Sequence, residues 1–427
     1  MSHIGKCNRT FPQPDTLPYH LLALTAISGE FPADQLKRLR GSDYYKESVI
    51  TALKKDGYLR TYYRDKLRGY RLGVKAKATL LSESPDLFTF YLTGETDTNR
   101  LKSEVNRRLR LHRIAQAYVT MENAGAAVFR NEKPDIFSSE GSPVGEIEAP
   151  AFYNSREIKE VGIDFTKIRS SRSVGALLAP AGIFVTYNCG PGLMKWRYKS
   201  ELRMKTLMWT VLCQQRLASQ FRPEDVSGLV LGDGMEPAYQ MLTSNGGKRH
   251  DCFMLDGCYD HFFYVTNDRK GDILLRLLCD TEKKEELHRI LSLDLTERRA
   301  NWRIENDAID KNGDPVLFAY SCDMPRIARW NCKVKMARSF ALITSKMYWS
   351  AIVAAGYVFR PSASINLKGG SFHRQTENHE RIDCRAGCHT CDFVRRRVSG
   401  SIYQQLCCVE TGRRYSWGWY ISGNGVA

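Results

Sequence analysis

Between residues 42 and 56 apolar side chains return every four positions, at Tyr45, Val49 and Leu53, with Ile50 and Ala52 beside them. That spacing predicts a helix with one buried stripe. Ser42 or Asp43 can cap its start, Lys54 and Lys55 suit the negative end of its dipole, and Gly57 offers a left-handed stop. The period then drops to two. Residues 58–63 alternate with high β propensity, 64–68 (RDKLR) turn, and 69–72 return as a second short strand. Upstream, 18–28 carries Leu21, Leu22, Leu24 and Ile27 at helical spacing, Gly29, Glu30 and Phe31 interrupt, and 32–39 makes a short helix with Leu36 and Leu39 inward. Three short helices followed by a hairpin predict a winged helix-turn-helix, within a length at which one small core can close.

Beyond residue 72 the pattern predicts a short helix at 74–81 and a long amphipathic one at 99–123, with Leu101, Val105, Leu109, His112 and Gln116 along one side. Residues 138–143 (SSEGSP) read as a loop. From about residue 146 strands and helices alternate. Strands are expected at 147–153, 173–179, 183–188, 228–231, 252–255 and 261–266, and helices at 198–215, 235–242, 272–278 and 282–291. The alternation implies an α/β domain with a mixed sheet, so the class is α/β, α+β over the whole chain. Four regions follow: 1–85, a winged helix-turn-helix; 86–145, a basic helix and linker; 146–360, the α/β domain; and 361–427, a segment rich in Cys and Arg.

Charge gives the first module a partner. From Lys37 to Lys77 there are thirteen Lys or Arg against the four acids Asp43, Glu47, Asp56 and Asp65. Such an excess on a helix and its hairpin suits phosphate neutralisation, and the net charge of +16 over 427 residues points the same way. The helix would present Ser42, Tyr44, Lys46 and Thr51 to a major groove while Tyr45, Val49 and Leu53 pack inward, with Lys54 and Lys55 at its end. Arg60, Arg64, Lys66, Arg68 and Arg71 of the hairpin would meet phosphates or the adjacent minor groove. The long helix at 99–123 carries Arg100, Lys102, Arg107, Arg108, Arg110 and Arg113, read as a solvated face with room for further phosphate contact. The N-terminal twenty residues contain no apolar signal-peptide core, so the expected compartment is the cytoplasm, with thiols rather than disulfides. Residues 339–359 are apolar and about bilayer length, but Lys346 in their middle favours a buried helix leading into a strand over a membrane span.

Catalytic signals are sparse. Glu157 and Lys159 have the E-x-K spacing by which strand-borne nuclease sites ligate Mg²⁺ and activate water, with Glu146, Glu148 and Asp164 as candidate acidic partners. Otherwise the pair lies on an exposed charged strand or turn. No phosphate-binding GxxxxGK[ST] loop occurs, and the nine histidines form no H-x-H cluster of the kind tyrosine nickases use. Gly232-Asp233-Gly234 reads as a turn, Cys213 and Cys252 as small apolar residues, and His261 as structural. Cys384, Cys388 and Cys391, with Cys407 downstream, could close a tetrahedral zinc site, or remain free thiols.

The chain resembles the replication-relaxation family of plasmids and integrative conjugative elements. The likeness rests on DGYLRTYYRDKLRGYRLGVKAKATLL, on RLKSEVNRRLRLHRIAQAYV, and on FYNSREIKEVG through MKWRYKSELRMKTLM, spanning residues 17–212. The resemblance implies a DNA-binding accessory protein of a mobile genetic element, serving replication, relaxation or conjugative transfer, with a nuclease-like α/β domain after the winged helix. The chain departs from the family in showing no clear acidic ligand set and in its Cys/Arg-rich tail. The expected partners are double-stranded DNA, other replication or transfer proteins of the element and a second copy of the chain, with no membrane. The alternatives are a metal-dependent nuclease or nickase and a winged-helix transcriptional regulator.

Overall fold

The apolar run at 21–27 becomes an interior helix, α1 (Leu17–Ser28), in which every residue from Leu21 to Ser28 is buried. The computed structural model describes residues 11–138, 145–162, 170–244, 253–297, 305–311, 313, 315–334 and 341–343. The side chain of Thr16 caps α1 by accepting the Tyr19 N–H, and Gly29, at φ +81°, ends it. The Thr25 and Ser28 hydroxyls return to the carbonyls of Leu21 and Leu24 at 2.6 Å, so their burial leaves no orphaned group. A two-residue strand follows, β1 (Phe31–Pro32), then a 3-10 helix, Ala33–Arg38. The expected helix from residue 32 therefore begins later, because Phe31 and Pro32 are extended.

Next come α2 (Asp43–Lys55), β2 (Leu59–Arg64) and β3 (Leu67–Leu72). The three strands form an antiparallel sheet in the order β1-β3-β2, with Phe31 opposite Tyr70 and Arg64 opposite Leu67. Pro32, which cannot donate, sits on the edge strand where proline is tolerated. Only Asp65 and Lys66 lie between the paired strands, at φ +52° and +62°. The turn is thus a two-residue loop with both residues left-handed, tighter than the five-residue turn expected at 64–68.

α3 (Val74–Glu83) is followed directly by α4 (Pro85–Leu92), a helix the pattern did not predict, with Pro85 in its first turn. α5 (Val105–Asn123) starts later than expected. It packs against α1 and β1 on one side and against the main sheet on the other. That sheet contains β4 (Ala151–Asn154), β5 (Ser173–Ala179), β6 (Gly182–Gly190), β7 (Val226–Gly232) and β8 (Phe262–Thr266), in the order β4-β5-β6-β7-β8. The first three strands form an antiparallel meander; β6, β7 and β8 run parallel. Between β6 and β7 lies α6 (Tyr198–Met208), which continues in π-helical turns through Trp209–Arg216; α7 (Glu236–Thr243) links β7 to β8. α8 (Arg269–Leu278) and α9 (Thr281–Leu291) follow β8.

Strand alternation sorts the sheet's side chains between two cores. Phe152, Leu177, Phe184, Leu229, Leu231 and Val265 join the core that holds α1, α2 and α5. Tyr153, Leu178, Val185, Tyr187, Val230 and Tyr264 face the core that holds α6 and α7. The result is a mixed five-stranded sheet between helical layers, confirming the α/β class. One core runs without interruption from α1 to the sheet, and at about 1.5–3 kcal/mol per fully buried large side chain it holds the hairpin unit firmly to the rest. Among the described residues no helix is long and apolar enough to cross a membrane. The apolar stretch at 339–359 lies outside the described residues except for a short strand at Ala341–Ile343.

Candidate nucleic-acid interface

The inward stripe of α2 is Lys46, Val49, Ile50 and Leu53. Its phase differs by one position at the start from the one read off Tyr45, Val49 and Leu53. Tyr45 is 46% exposed and lies beside Gly41, whereas Lys46 is 1% exposed. The Lys46 ammonium donates to the Lys37 carbonyl at 3.1 Å and pairs with Asp43 at 2.9 Å. Lys46 therefore fixes the entry to α2 and does not reach a groove, contrary to expectation. Tyr44, at 87% exposure, projects fully outward. Ser42 is exposed, its hydroxyl capping the helix by accepting the Tyr45 N–H, and Thr51 is exposed with its hydroxyl on the Glu47 carbonyl. Lys54 and Lys55 are exposed at the C-terminal end.

On the hairpin, Arg60, Lys66 and Arg68 are exposed, and Arg64 is exposed beside Asp65 at 3.3 Å, an ion pair of small net worth. Arg71 turns the other way. Its guanidinium pairs with buried Glu30 at 2.7 Å, donates to the Lys102 carbonyl at 3.2 Å and lies 3.8 Å from the centre of the Tyr62 ring. Arg71 is thus removed from the expected phosphate contacts. Lys37, Arg40, Lys54, Lys55, Arg60, Lys66 and Arg68 are all exposed, with no side-chain hydrogen bond or ion pair among the described residues. Lys37 and Arg40, which precede α2, were counted in the charge but not expected at the site.

A buried ionic cluster sets the hairpin's position. Glu30 and Arg108 are both fully buried, and the Arg108 guanidinium lies 2.6 Å from Glu30. Arg108 also donates to three carbonyls of the hairpin, Arg64 at 2.9 Å, Leu67 at 3.0 Å and Tyr62 at 3.4 Å. These carbonyls flank the tight turn, so one side chain of α5 holds the tip of the hairpin. His112, one turn further along α5, reaches Glu30 at 2.8 Å. Burial pushes the Glu30 carboxyl up, but the hydrogen bonds from His112, Arg108 and Arg71 outweigh it and bring the group down to about 2. Gly69 leaves the room this needs: a Cβ there would lie 2.4 Å from Glu30 Oε1. Arg108 is therefore not part of a solvated face. Its helical phase with His112 and Ala115, all buried on α5, was the available signal.

In the α/β layer the expected E-x-K pair does not form on a strand. Residues Ile158–Val161 make a 3-10 helix, Glu157 is 3% exposed and Lys159 is exposed. Both Glu157 oxygens are occupied: Lys133 lies at 2.9 Å, the Tyr91 hydroxyl donates at 3.2 Å, and the Asn154 N–H donates at 2.8 Å. Burial pulls the Lys133 ammonium down, against the opposing pull of Glu157. The carboxylate thus braces the turn after β4. Glu146 and Glu148 are exposed before β4, and Asp164 lies outside the described residues. Neither β5 nor β6 carries an acidic side chain.

The carboxyl ends of β6, β7 and β8, where open α/β sheets usually bind ligands, are bridged by their own polar groups. Asn188 donates to the Arg113 carbonyl at 2.9 Å and to Gln116 at 3.1 Å, and Asn267 donates to Asp233 at 2.9 Å. Of the expected turn Gly232-Asp233-Gly234, Gly232 is the paired last residue of β7, and the chain bends after it at Asp233 and Gly234, the latter at φ +90°. His261 is held by Asp323 at 2.7 Å, and burial pushes the Cys213 thiol up to about 11. Cys252, Cys384, Cys388, Cys391 and Cys407 lie outside the described residues. Among the described residues no group of three or more His, Cys, Asp or Glu side chains is placed to hold a metal ion. Comparison with protein-family models, curated proteins and solved structures finds no match to the chain.

Proposed function

We propose that residues 17–72 are a winged helix-turn-helix that binds double-stranded DNA, with α2 in a major groove and the β2–β3 hairpin as the wing. The observation that carries this reading is the set of seven exposed cations around α2 and the hairpin that make no side-chain hydrogen bond or ion pair among the described residues. Elsewhere arginines and lysines commonly find carboxylates, as Arg326 does with Glu305 and Asp307. Here they face solvent, and three of them, Arg60, Lys66 and Arg68, stand on a hairpin whose backbone is fixed from behind by Arg108. Phosphates would supply the missing partners, and Tyr44 and Thr51 would read base edges.

The resemblance to the replication-relaxation family supplies the setting: an accessory protein of a mobile element, acting in replication, relaxation or transfer. A metal-dependent nuclease and a ligand-responsive regulator remain the alternatives to that setting; with no acidic side chain on β5 or β6, nothing in the main sheet favours the first.

The test is a salt titration of binding to a short duplex. Lys66→Gly removes a charge while relieving the left-handed residue at φ +62°, so a loss of affinity does not reflect a damaged turn. Arg68→Gln is its partner in the series. Each should reduce the slope of log Kobs against log salt by about 0.9 and weaken all sequences alike. Affinity that does not vary with salt, or slopes unchanged in both variants, would overturn the reading.

A further inference from the structure

We propose that the DNA-contacting surface continues past the start of α2 onto the α/β layer, where Arg269 and Lys270 at the beginning of α8 bind the phosphates along the near edge of the groove. This rests on the reading that α2 and the hairpin bind duplex DNA.

The geometry begins with a weld between the two parts. Arg38, the last residue of the 3-10 helix before α2, pairs with the Asp272 carboxylate, and both side chains are only 8% exposed. Asn123 of α5 donates to the same carboxylate at 2.9 Å, and Arg38 also donates to Thr120 at 2.9 Å. Asp272 lies in the first turn of α8, so Arg269, three residues earlier, shares its side of the helix. The weld therefore brings the start of α8 beside the start of α2. The Asp43 carboxyl registers this: it is held below its ordinary value first by Lys46 and also by the charges of Lys37 and Arg269.

Arg269 and Lys270 are exposed and make no side-chain hydrogen bond or ion pair at contact distance among the described residues; Arg269 acts on Asp43 only through its longer-range charge. Their position also runs against helix energetics, since cations in a first turn oppose the helix dipole. The backbone N–H groups of Lys270 and Gly271 are already taken by the Asp268 carboxylate, so the helix end itself offers no anion site. Within the fold only Arg269 finds an anion, Asp43, and that beyond contact distance; an external polyanion would give both cations close partners.

A helix of thirteen residues is about 20 Å long, more than the roughly 12 Å width of the major groove. With α2 in the groove and Tyr44 of its first turn at the base edges, the residues that lead into the helix lie against a phosphate strand. Lys37 and Arg40 meet that strand from the hairpin unit, and Arg269 and Lys270 extend the contact on the α8 side. The hairpin cations meet the duplex elsewhere.

The experiment uses the full chain, a duplex it binds, and the double variant Arg269→Gln/Lys270→Gln, with Lys66→Gly as reference. The double variant should lower the salt slope by about 1.8 and leave the ratio of affinities for matched and mismatched duplexes unchanged. Ethylation interference should lose phosphates at one edge of the footprint, whereas Lys66→Gly loses a different set. If wild type binds with a steep salt slope and the double variant keeps both slope and interference pattern, this inference falls while the DNA reading stands. If wild type shows no salt-dependent binding, both fall. Equal thermal melts for wild type and double variant exclude unfolding as the cause.

Discussion

The face of α2 with its hairpin and the carboxyl edge of the five-stranded sheet are both rich in polar groups, and they treat those groups in opposite ways. At the sheet edge Asn188, Gln116, Asp233 and Asn267 are joined to one another and to backbone, and Asn188 is almost wholly buried. On the face of α2 and the hairpin, Lys37, Arg40, Lys54, Lys55, Arg60, Lys66 and Arg68 point out and make no side-chain hydrogen bond or ion pair among the described residues. A polar group satisfied inside the fold holds the fold together; one left unsatisfied at the surface is available to a partner. Position in the topology would have favoured the sheet edge as the binding site, and the state of the side chains favours the hairpin.

The largest expected effect tests what stands behind that hairpin. Glu30 is shared by Arg71, Arg108 and His112, so Glu30→Gln leaves buried positive charge without its counterion. A loss of about 3–5 kcal/mol is expected by urea denaturation, the usual cost of breaking a buried ionic cluster. Arg108→Met added to Glu30→Gln should recover part of it, because the orphaned charge is then also removed. DNA affinity should fall in Glu30→Gln as the hairpin loosens, with the salt slope nearly unchanged since the surface cations remain. If Arg108→Met alone lowered the slope and cost under about 0.5 kcal/mol, Arg108 would behave as a surface cation and the contrast would break.

Acid should reveal the same cluster. The folded-state Glu30 carboxyl lies at about 2, below its ordinary value of 4.5. Its charged form is therefore favoured by folding, and its contribution is complete above the ordinary value and lost as pH falls from about 4.5 to about 2. The size is on the order of 3 kcal/mol. The stability gap between wild type and Glu30→Gln should accordingly narrow over that window. A gap that stays constant from pH 5 to about 2 would mean that the carboxylate is not held by its neighbours.

Local pattern made the elements legible where neighbours in sequence decide them. The helix and hairpin at 42–72, the strand at 173–179, the centre of β7 at 228–231, and the helices after β7 and β8 follow from periodicity, glycine stops and caps. The misreadings share a different cause. Arg108 and Glu30 are 78 residues apart, and nothing local to either announces the other. Arg108 therefore reads as one more cation on a basic helix. A lysine on an amphipathic helix ordinarily points outward; the burial of Lys46 depends on the Lys37 carbonyl, supplied by the preceding 3-10 helix. Glu157 looked catalytic from its spacing to Lys159, but its role is set by Lys133 and Tyr91, far from it in sequence and adjacent only in the fold. Charge density located the candidate site, while the partner of each charge was a property of the tertiary structure.

The smallest expected effect comes from the sheet edge. Asp233 accepts from Asn267 at 2.9 Å, and its backbone N–H donates to the Gly190 carbonyl at 2.8 Å. Asp233→Asn keeps the side-chain shape and an acceptor oxygen while removing the charge. If this edge only closes the βα turns, the change should cost no more than about 1 kcal/mol and leave duplex affinity within about twofold. Thermal unfolding and the salt titration measure both. A large loss of binding with an unchanged melt would place the carboxylate among groups that act on a partner. The two polar regions would then be two parts of one site, joined through Asn267, Thr120 and Arg38, which already form a hydrogen-bonded path from the sheet edge to the start of α2.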